Sequence, residues 1–354
     1  KFYVQQTEDI HMKSDPIIRS IDIGYGLTKY SYTDTSQNKI SYDSFSSQAV
    51  PVSEINASAI KSKGKDNNAQ DINIVNVGEE VFAVGKGIQH IDDTGESRIT
   101  RRDYITSSGY KALFYGALTY INEDVIDLLI VALPVDRYSR YHDDLKNICK
   151  GTHHISDKKT VRVKEVEVIL QPNGGLFSRM EEFNISRKNA IFDRYDIQIL
   201  IDAGYKNINW VTADGLKVFF GQSSSHEHGI EDILKSLPHI TNEHNLLKID
   251  KHLTNGEKIK IDGKLINLNS HLPTAMNAIY GSMNALRNSV EYYESQVIDI
   301  YLVGGGAELL KSSIQDSFKW VDIHILDNPV FANVRGFQVM AEQSWERLKS
   351  EDAT

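Results

Sequence analysis

Cysteine is nearly absent. The 354-residue chain has one, Cys149, which excludes a disulfide within the chain and any cluster held by several cysteines. A lone thiol fits a reducing compartment, so a cytoplasmic protein is expected. There is also no unbroken apolar run of about 18 residues, so no segment is expected to span a bilayer. Positive charge is in short supply: the net charge of −9 disfavours direct contact with the phosphate backbone of DNA. If nucleic acid matters here, an adaptor is expected to touch it. Two familiar phosphate-binding signatures are missing as well. No Gly-x-x-x-x-Gly-Lys-Ser/Thr occurs, and the first Gly-x-Gly lacks the third glycine and the following helix of a dinucleotide fold.

What is there is an ordinary globular balance, 40% hydrophobic and a quarter charged, at a length suited to two α/β domains rather than one core. Residues Lys1 to His11 are polar and precede Met12, so a cloning remnant or dispensable arm is expected over 1–15, with folding starting near Pro16.

One short pattern occurs twice. Ile21-Asp22-Ile23-Gly24-Tyr25 and Ile201-Asp202-Ala203-Gly204-Tyr205 stand in one register, 180 positions apart, each flanked by β-rich runs. An apolar strand ending in Asp-x-Gly and turning at once into a second strand leaves a hairpin whose backbone is little shielded. Its N–H groups can be held against a phosphate. Two such hairpins in matching halves suggest a duplicated scaffold with a polyphosphate between facing domains. An Asp at each rim, Asp22 and Asp202, would hold a hydrated Mg²⁺. The first copy reads Asp-x-Gly-x-Gly-x-x-Lys, so Lys29 can reach back over the turn.

Along the chain, strands are expected at Ile17 to Ile23 and Lys29 to Thr33, then a polar, loop-rich excursion from Tyr42 to Gln70. A hairpin around Gly78-Glu79-Glu80 suggests a small inserted subdomain at about 45–95. Tyr104 to Ile121 has helical spacing, and Asp127 to Pro134 has the look of a central parallel strand. Val161 to Leu170 alternates and delivers Gln171 to its end, where a neutral amide can orient an attacking water or simply cap a turn. A helix is expected over Gly174 to Asn189, and strands over Ile197 to Ile201, Ile208 to Thr212 and Leu216 to Phe220. Ser223 to Gly229 reads as a polar lead-in to a helix. Its His226 and His228, with no third ligand at recognisable spacing, are a weak zinc signal. Lys248 to Asn267 reads as turn-rich, with a hairpin at Ile259 to Lys264. His271 to Val297 reads as one long helix with Met276, Ile279, Tyr280, Met283 and Leu286 on its core side.

A third constellation, Val297 to Leu310, is a buried strand running into Gly304-Gly305-Gly306 and a helix. A base or ribose can lie on such bare backbone, or the glycines serve only tight packing. The closing helix, Val330 to Leu348, contains Gly336, which points to close approach of another backbone.

Taken in order, these elements resemble the actin-like ATPases. Val303 to Leu309 and Phe331-Ala332-Asn333-Val334-Arg335-Gly336-Phe337 look like the plasmid-segregation branch, the ParM-like proteins. The resemblance implies an α/β, actin-like (ribonuclease H-like) duplicated fold with a nucleotide cleft. Domain I would span 16–180 plus 335–354, and domain II 181–334. It implies ATP/ADP and Mg²⁺ as cofactors. Gly24, Tyr25, Gly26, Thr28 and Lys29 would hold the phosphates from one side, and Gly204, Tyr205, Lys206 and Asn207 from the other. Asp22 and Asp202 would bind Mg²⁺ through water, Gln171 would align the attacking water, and Gly304, Gly305, Gly306, Glu308 and Asn333 would contact the nucleoside. It further implies head-to-tail self-assembly into filaments, ATP hydrolysis, and plasmid segregation through a centromere-binding adaptor protein. The chain departs from relatives at Gln171, often a glutamate, and at Lys206, often Gly or Thr, and it has Asn209 where a polar residue that helps position water is common. Competing readings are a sugar-type kinase, which needs a carboxylate base on the substrate hydroxyl, and a non-polymerising nucleotide-dependent scaffold.

Overall fold

In the computed structural model the described residues are 15–53, 56–57, 71–98, 103–183, 197–291 and 296–351. Among them are two sheets of the same wiring. The first has the order β3-β2-β1-β7-β9-β8, built from β1 (Ile18–Ile23), β2 (Leu27–Asp34), β3 (Lys39–Ser46), β7 (Val125–Leu133), β8 (Gly151–Ser156) and β9 (Lys159–Leu170). The second has the order β12-β11-β10-β16-β17, from β10 (Ile197–Ala203), β11 (Asn207–Asp214), β12 (Lys217–Val218), β16 (Val297–Val303) and β17 (Asp322–Ile325). In each, a central strand pairs antiparallel with the next strand in sequence and parallel with a later one: β1 with β2 and β7, β10 with β11 and β16. The central strands β1, β7, β10 and β16 are mostly buried, whereas β9 alternates buried and exposed residues.

The match extends to single residues. Asp22 lies opposite Lys29 on β2, and Asp202 lies opposite Asn209 on β11. In both turns the glycine amide donates to the carbonyl three residues on, Gly24 N to Leu27 O at 3.1 Å and Gly204 N to Asn207 O at 3.0 Å.

A small three-stranded sheet, β4 (Val50–Pro51), β5 (Asn73–Val77) and β6 (Glu80–Val84), stands beside the first sheet. Helix α1 (Ser108–Ile121) begins where the Ser107 hydroxyl accepts from the Tyr110 amide. Helix α2 (Val135–Cys149) follows β7 at once, after Pro134.

Between the two sheets run α3 (Gln171–Glu182) and α8 (Ala332–Glu351). Phe177, Val334 and Phe337 pack toward β1 and β7, while Leu176 and Ala332 pack toward β10 and β11. The helices cross in backbone contact. A Cβ on Gly336 would lie 1.7 Å from the Gly174 carbonyl oxygen, and one on Gly175 would lie 2.5 Å from Leu200 of the second sheet. The close approach expected at Gly336 is therefore real, and its partner is Gly174.

Several expectations need correcting. β9 does end at Leu170 and deliver Gln171, but the helix starts there, three residues before Gly174. The remainder of the helix expected to Asn189, and the 1–14 arm, lie outside the described residues. Tyr42 to Ser46 belongs to β3, held by pairing with β2. The strand at Leu216 to Phe220 shrinks to β12, and Ser224–Glu227 is strand β13, zipped onto β11 through Asn207↔Glu227 and Trp210↔Ser224. Leu246–Thr254 is helix α5: Asn245 caps it by accepting from the Lys248 amide at 3.0 Å, and Ile249 is buried. The expected long helix is broken into short turns before α6 (Tyr280–Val290), and Tyr280 points outward, 67% exposed, while Ile279, Met283 and Leu286 are buried. The hairpin expected at 259–264 is present as β14 (Ile259–Ile261) and β15 (Lys264–Ile266).

Candidate functional site

The two Asp-x-Gly turns meet at the bottom of one cleft. Its lining includes Gly24, Tyr25, Gly26 and Lys29 from the first turn, Gly204 to Asn207 from the second, and Gly304 to Gly306. The tips touch: a Cβ on Gly26 would sit 2.9 Å from the Tyr205 Cβ. Tyr25 is steadied by Tyr104, with ring centroids 4.4 Å apart.

At the floor, Asp22 is fully buried and both its oxygens are engaged. Lys29 Nζ donates to Oδ2 at 2.8 Å and Gln171 Nε2 donates to Oδ1 at 2.6 Å. This fixes the amide of Gln171 and leaves its Oε1 for another partner. Burial works to lower the Lys29 ammonium, but the charges of Asp22 and Asp202 outweigh it and hold it above its ordinary value. Lys29 therefore serves both carboxylates.

Asp202 is not neutralised in the same way. Its Oδ2 accepts from Asn333 Nδ2 at 3.0 Å, but the residue opposite it is the neutral Asn209. Burial pushes its carboxyl up to about 6, with Lys29 opposing and Asp22 adding to the rise. The side-chain oxygens of Asn207 and Asn209 are buried without a hydrogen-bond partner among the described residues. A carboxylate with spare amide oxygens beside it is a hard-oxygen donor set, which suits a hydrated Mg²⁺. Among the described residues no group of three His, Cys, Asp or Glu gathers as a metal cage, so any ion here would keep most of its waters. His226 and His228 gain no third ligand among the described residues. His226 Nδ1 lies 2.9 Å from the Ser282 hydroxyl, and His228 pairs with Asp232.

The glycine run is mostly packing. Gly304 has φ +88°, and a Cβ there would lie 2.4 Å from Asp202 Oδ1; one on Gly306 would lie 2.3 Å from Ile230. Only Gly305 has open space above it in the cleft. Four of the expected residues do not line the cleft. Asp22 and Asn333 lie behind it, holding Lys29 with Gln171 and Asp202 respectively. Thr28 is buried against Ser47, and Glu308 is exposed on α7 (Ala307–Ser317). Sequence reasoning missed Arg98, Asp250 and Thr254, which also line it. Asn209, read from the sequence as a polar position that helps place water, does line the cleft, and the 180-residue offset that maps Asp22 onto Asp202 maps Lys29 onto it.

Residues 20–174 match the family model described as actin like proteins N terminal domain. Among solved structures, a 15-stranded ParM filament from Clostridium botulinum is similar, with 20% identity, a TM-score of 0.70, and 93% of this chain and 100% of that one covered. So is apo pSK41 ParM, at 18% identity and a TM-score of 0.65 over 95% and 100%. The ADP complex of Ta0583, an archaeal actin homolog, has 15% identity and a TM-score of 0.65 over 92% and 99%. No curated protein sequence matches the chain significantly.

Proposed function

We propose that this chain, which has the actin-like two-domain fold, binds ATP with Mg²⁺ in the cleft, hydrolyses it, and assembles head to tail into filaments that segregate plasmid DNA through a DNA-bound adaptor. One observation carries the nucleotide reading: twin turns face each other across a single pocket whose floor holds one ammonium and two buried carboxylates. Exposed backbone and Lys29 suit the phosphates, and Gly305 offers a bare surface to the nucleoside. Mg²⁺, when bound, would neutralise phosphate charge, and Asp202 with the Asn207 and Asn209 oxygens would hold it through water.

The chain's own residues supply the rest. Gln171, fixed by its bond to Asp22, presents Oε1 to orient a water for attack on the terminal phosphate. Asp202, which lines the same cleft, can take up the proton of that water. Lys206 of the second turn lines the cleft with its ammonium 3.7 Å from Glu231, and would bring positive charge to the phosphates.

Filament formation and plasmid segregation rest on likeness to ParM structures. Light scattering tests the whole reading. ATP should give a sharp rise above a critical protein concentration, and ADP should give less. Phosphate transfer to a sugar without polymer would instead identify a kinase.

A further inference from the structure

Residues 92–98 cross the mouth of the cleft. They leave the first half beside β6 and touch the second half at three points. Asn245 Nδ2 donates to the Asp93 carbonyl at 3.2 Å, and Leu247 packs against the bare backbone of Gly95, 3.3 Å from where a Cβ would be. The Arg98 guanidinium lies over the ring of Tyr205, 4.6 Å from its centroid. Tyr205 is the tip of the second phosphate turn and presses on Gly26 of the first. One aromatic ring thus joins both turns to the crossing segment.

The segment is shaped from its own side. The Asp92 carboxylate accepts from the Gly95 and Ser97 amides, each at 2.9 Å, and from the Thr94 hydroxyl and Gln48 Nε2, each at 3.0 Å. Gln48 also bridges to Arg98 in β fashion, and Arg98 Nη2 donates to the Ser46 hydroxyl at 3.3 Å. Arg98 Nε is buried and makes no hydrogen bond. The guanidinium is therefore committed to a ring and to the nearby Asp250 carboxylate, which its charge partly offsets against the cost of burial. A planar cation on an aromatic face, with one 3.3 Å bond to a hydroxyl beside it, is a contact light enough to open and re-form.

We propose that Arg98, held by the Asp92-ordered segment, is a clasp on Tyr205 that keeps the mouth shut and sets how fast nucleotide leaves. Arg98 is a positioning residue here, acting through Tyr205 and the second turn. The nucleotide part rests on the proposed function; the clasp itself does not.

Two measurements keep those apart. The first is amide hydrogen exchange on the full chain without nucleotide. Arg98→Ala and Asp92→Ala should each raise exchange across 245–250 and 204–206, on the far side of the mouth, while the α1 and β7 core stays protected. The second is release of a fluorescent ADP chased by excess ADP. Both variants should release it roughly two- to thirty-fold faster, the range a cation over an aromatic ring supplies. Arg98→Lys, with its point charge, should fall between them and the parent, and combining Arg98→Ala with Asp92→Ala should add little to either alone. Unchanged exchange at 245–250 and 204–206 in both variants overturns the clasp, whether or not ADP binds. Raised exchange with unchanged ADP release overturns its control of the nucleotide. If the parent chain fails to retain ADP, the proposed function falls while the exchange result still decides the clasp.

Discussion

Replacing Asp202 by asparagine should make the chain more stable and less active. The carboxyl sits at about 6 in the folded chain against an ordinary 3.8. At roughly 1.4 kcal/mol per unit, keeping it ionised in the fold costs about 3 kcal/mol. The sign follows from the direction of the shift. A raised carboxyl favours the folded state fully only below its unfolded value near 3.8, and that advantage is lost as pH rises through about 6. At pH 7.5 the parent therefore carries the whole cost, and Asp202→Asn removes it. The packing allows the change, because the Asn209 oxygen is unpartnered and an amide flip presents it to the new donor. Urea unfolding without nucleotide or Mg²⁺ is the assay. The variant should gain up to about 3 kcal/mol at pH 7.5 and much less at pH 4.5. ATP turnover should fall by a factor of 10² or more, as expected when a proton acceptor is lost. A variant less stable than the parent at pH 7.5, or equally stable at both pH values, refutes the reasoning.

Other expectations follow the same geometry. Lys29→Ala strands the buried Asp22 carboxylate and should cost about 3–5 kcal/mol, much of it recovered by adding Asp22→Asn, as urea unfolding of the single and double variants will report. Gly336→Ala drives a methyl into the Gly174 carbonyl and should cost about 3 kcal/mol or prevent folding, whereas Gly221→Ala, with open space around it, should shift the unfolding midpoint little. Cys149 is fully buried and burial pushes its thiol up, so a thiol reagent such as DTNB should label it only at the rate of unfolding. EDTA should abolish ATP turnover yet leave the melting of the nucleotide-free chain unmoved, since no zinc-type cage is present among the described residues.

The parts of this protein that were readable from sequence are those set by local chemistry. The twin turns announce themselves because Asp-x-Gly followed by a β-run has few alternatives, and Gly336 inside a helix has a cost that only contact repays. The elements that misled are those where tertiary packing decides. Leu246–Thr254 looks like charged loop because only Ile249 is deeply buried, while an Asn cap and one apolar edge suffice for a helix. Ser224–Glu227 is a strand because β11 offers a free edge, a fact absent from its own residues. In the site, Lys29 and its Asp22 partner follow from hairpin register, whereas Arg98 reaches Tyr205 across more than 100 residues of chain and leaves no local signal.

The crossing of α3 and α8 has one further consequence. With main chain resting on main chain at Gly174 and Gly336, there is no side chain to compress or repack at that spot, so the two helices that run between the sheets are locked to each other. Their outward faces meet different sheets, Phe177 and Phe337 the first, Leu176 and Ala332 the second. One rigid pair is thus the seat on which both halves rest.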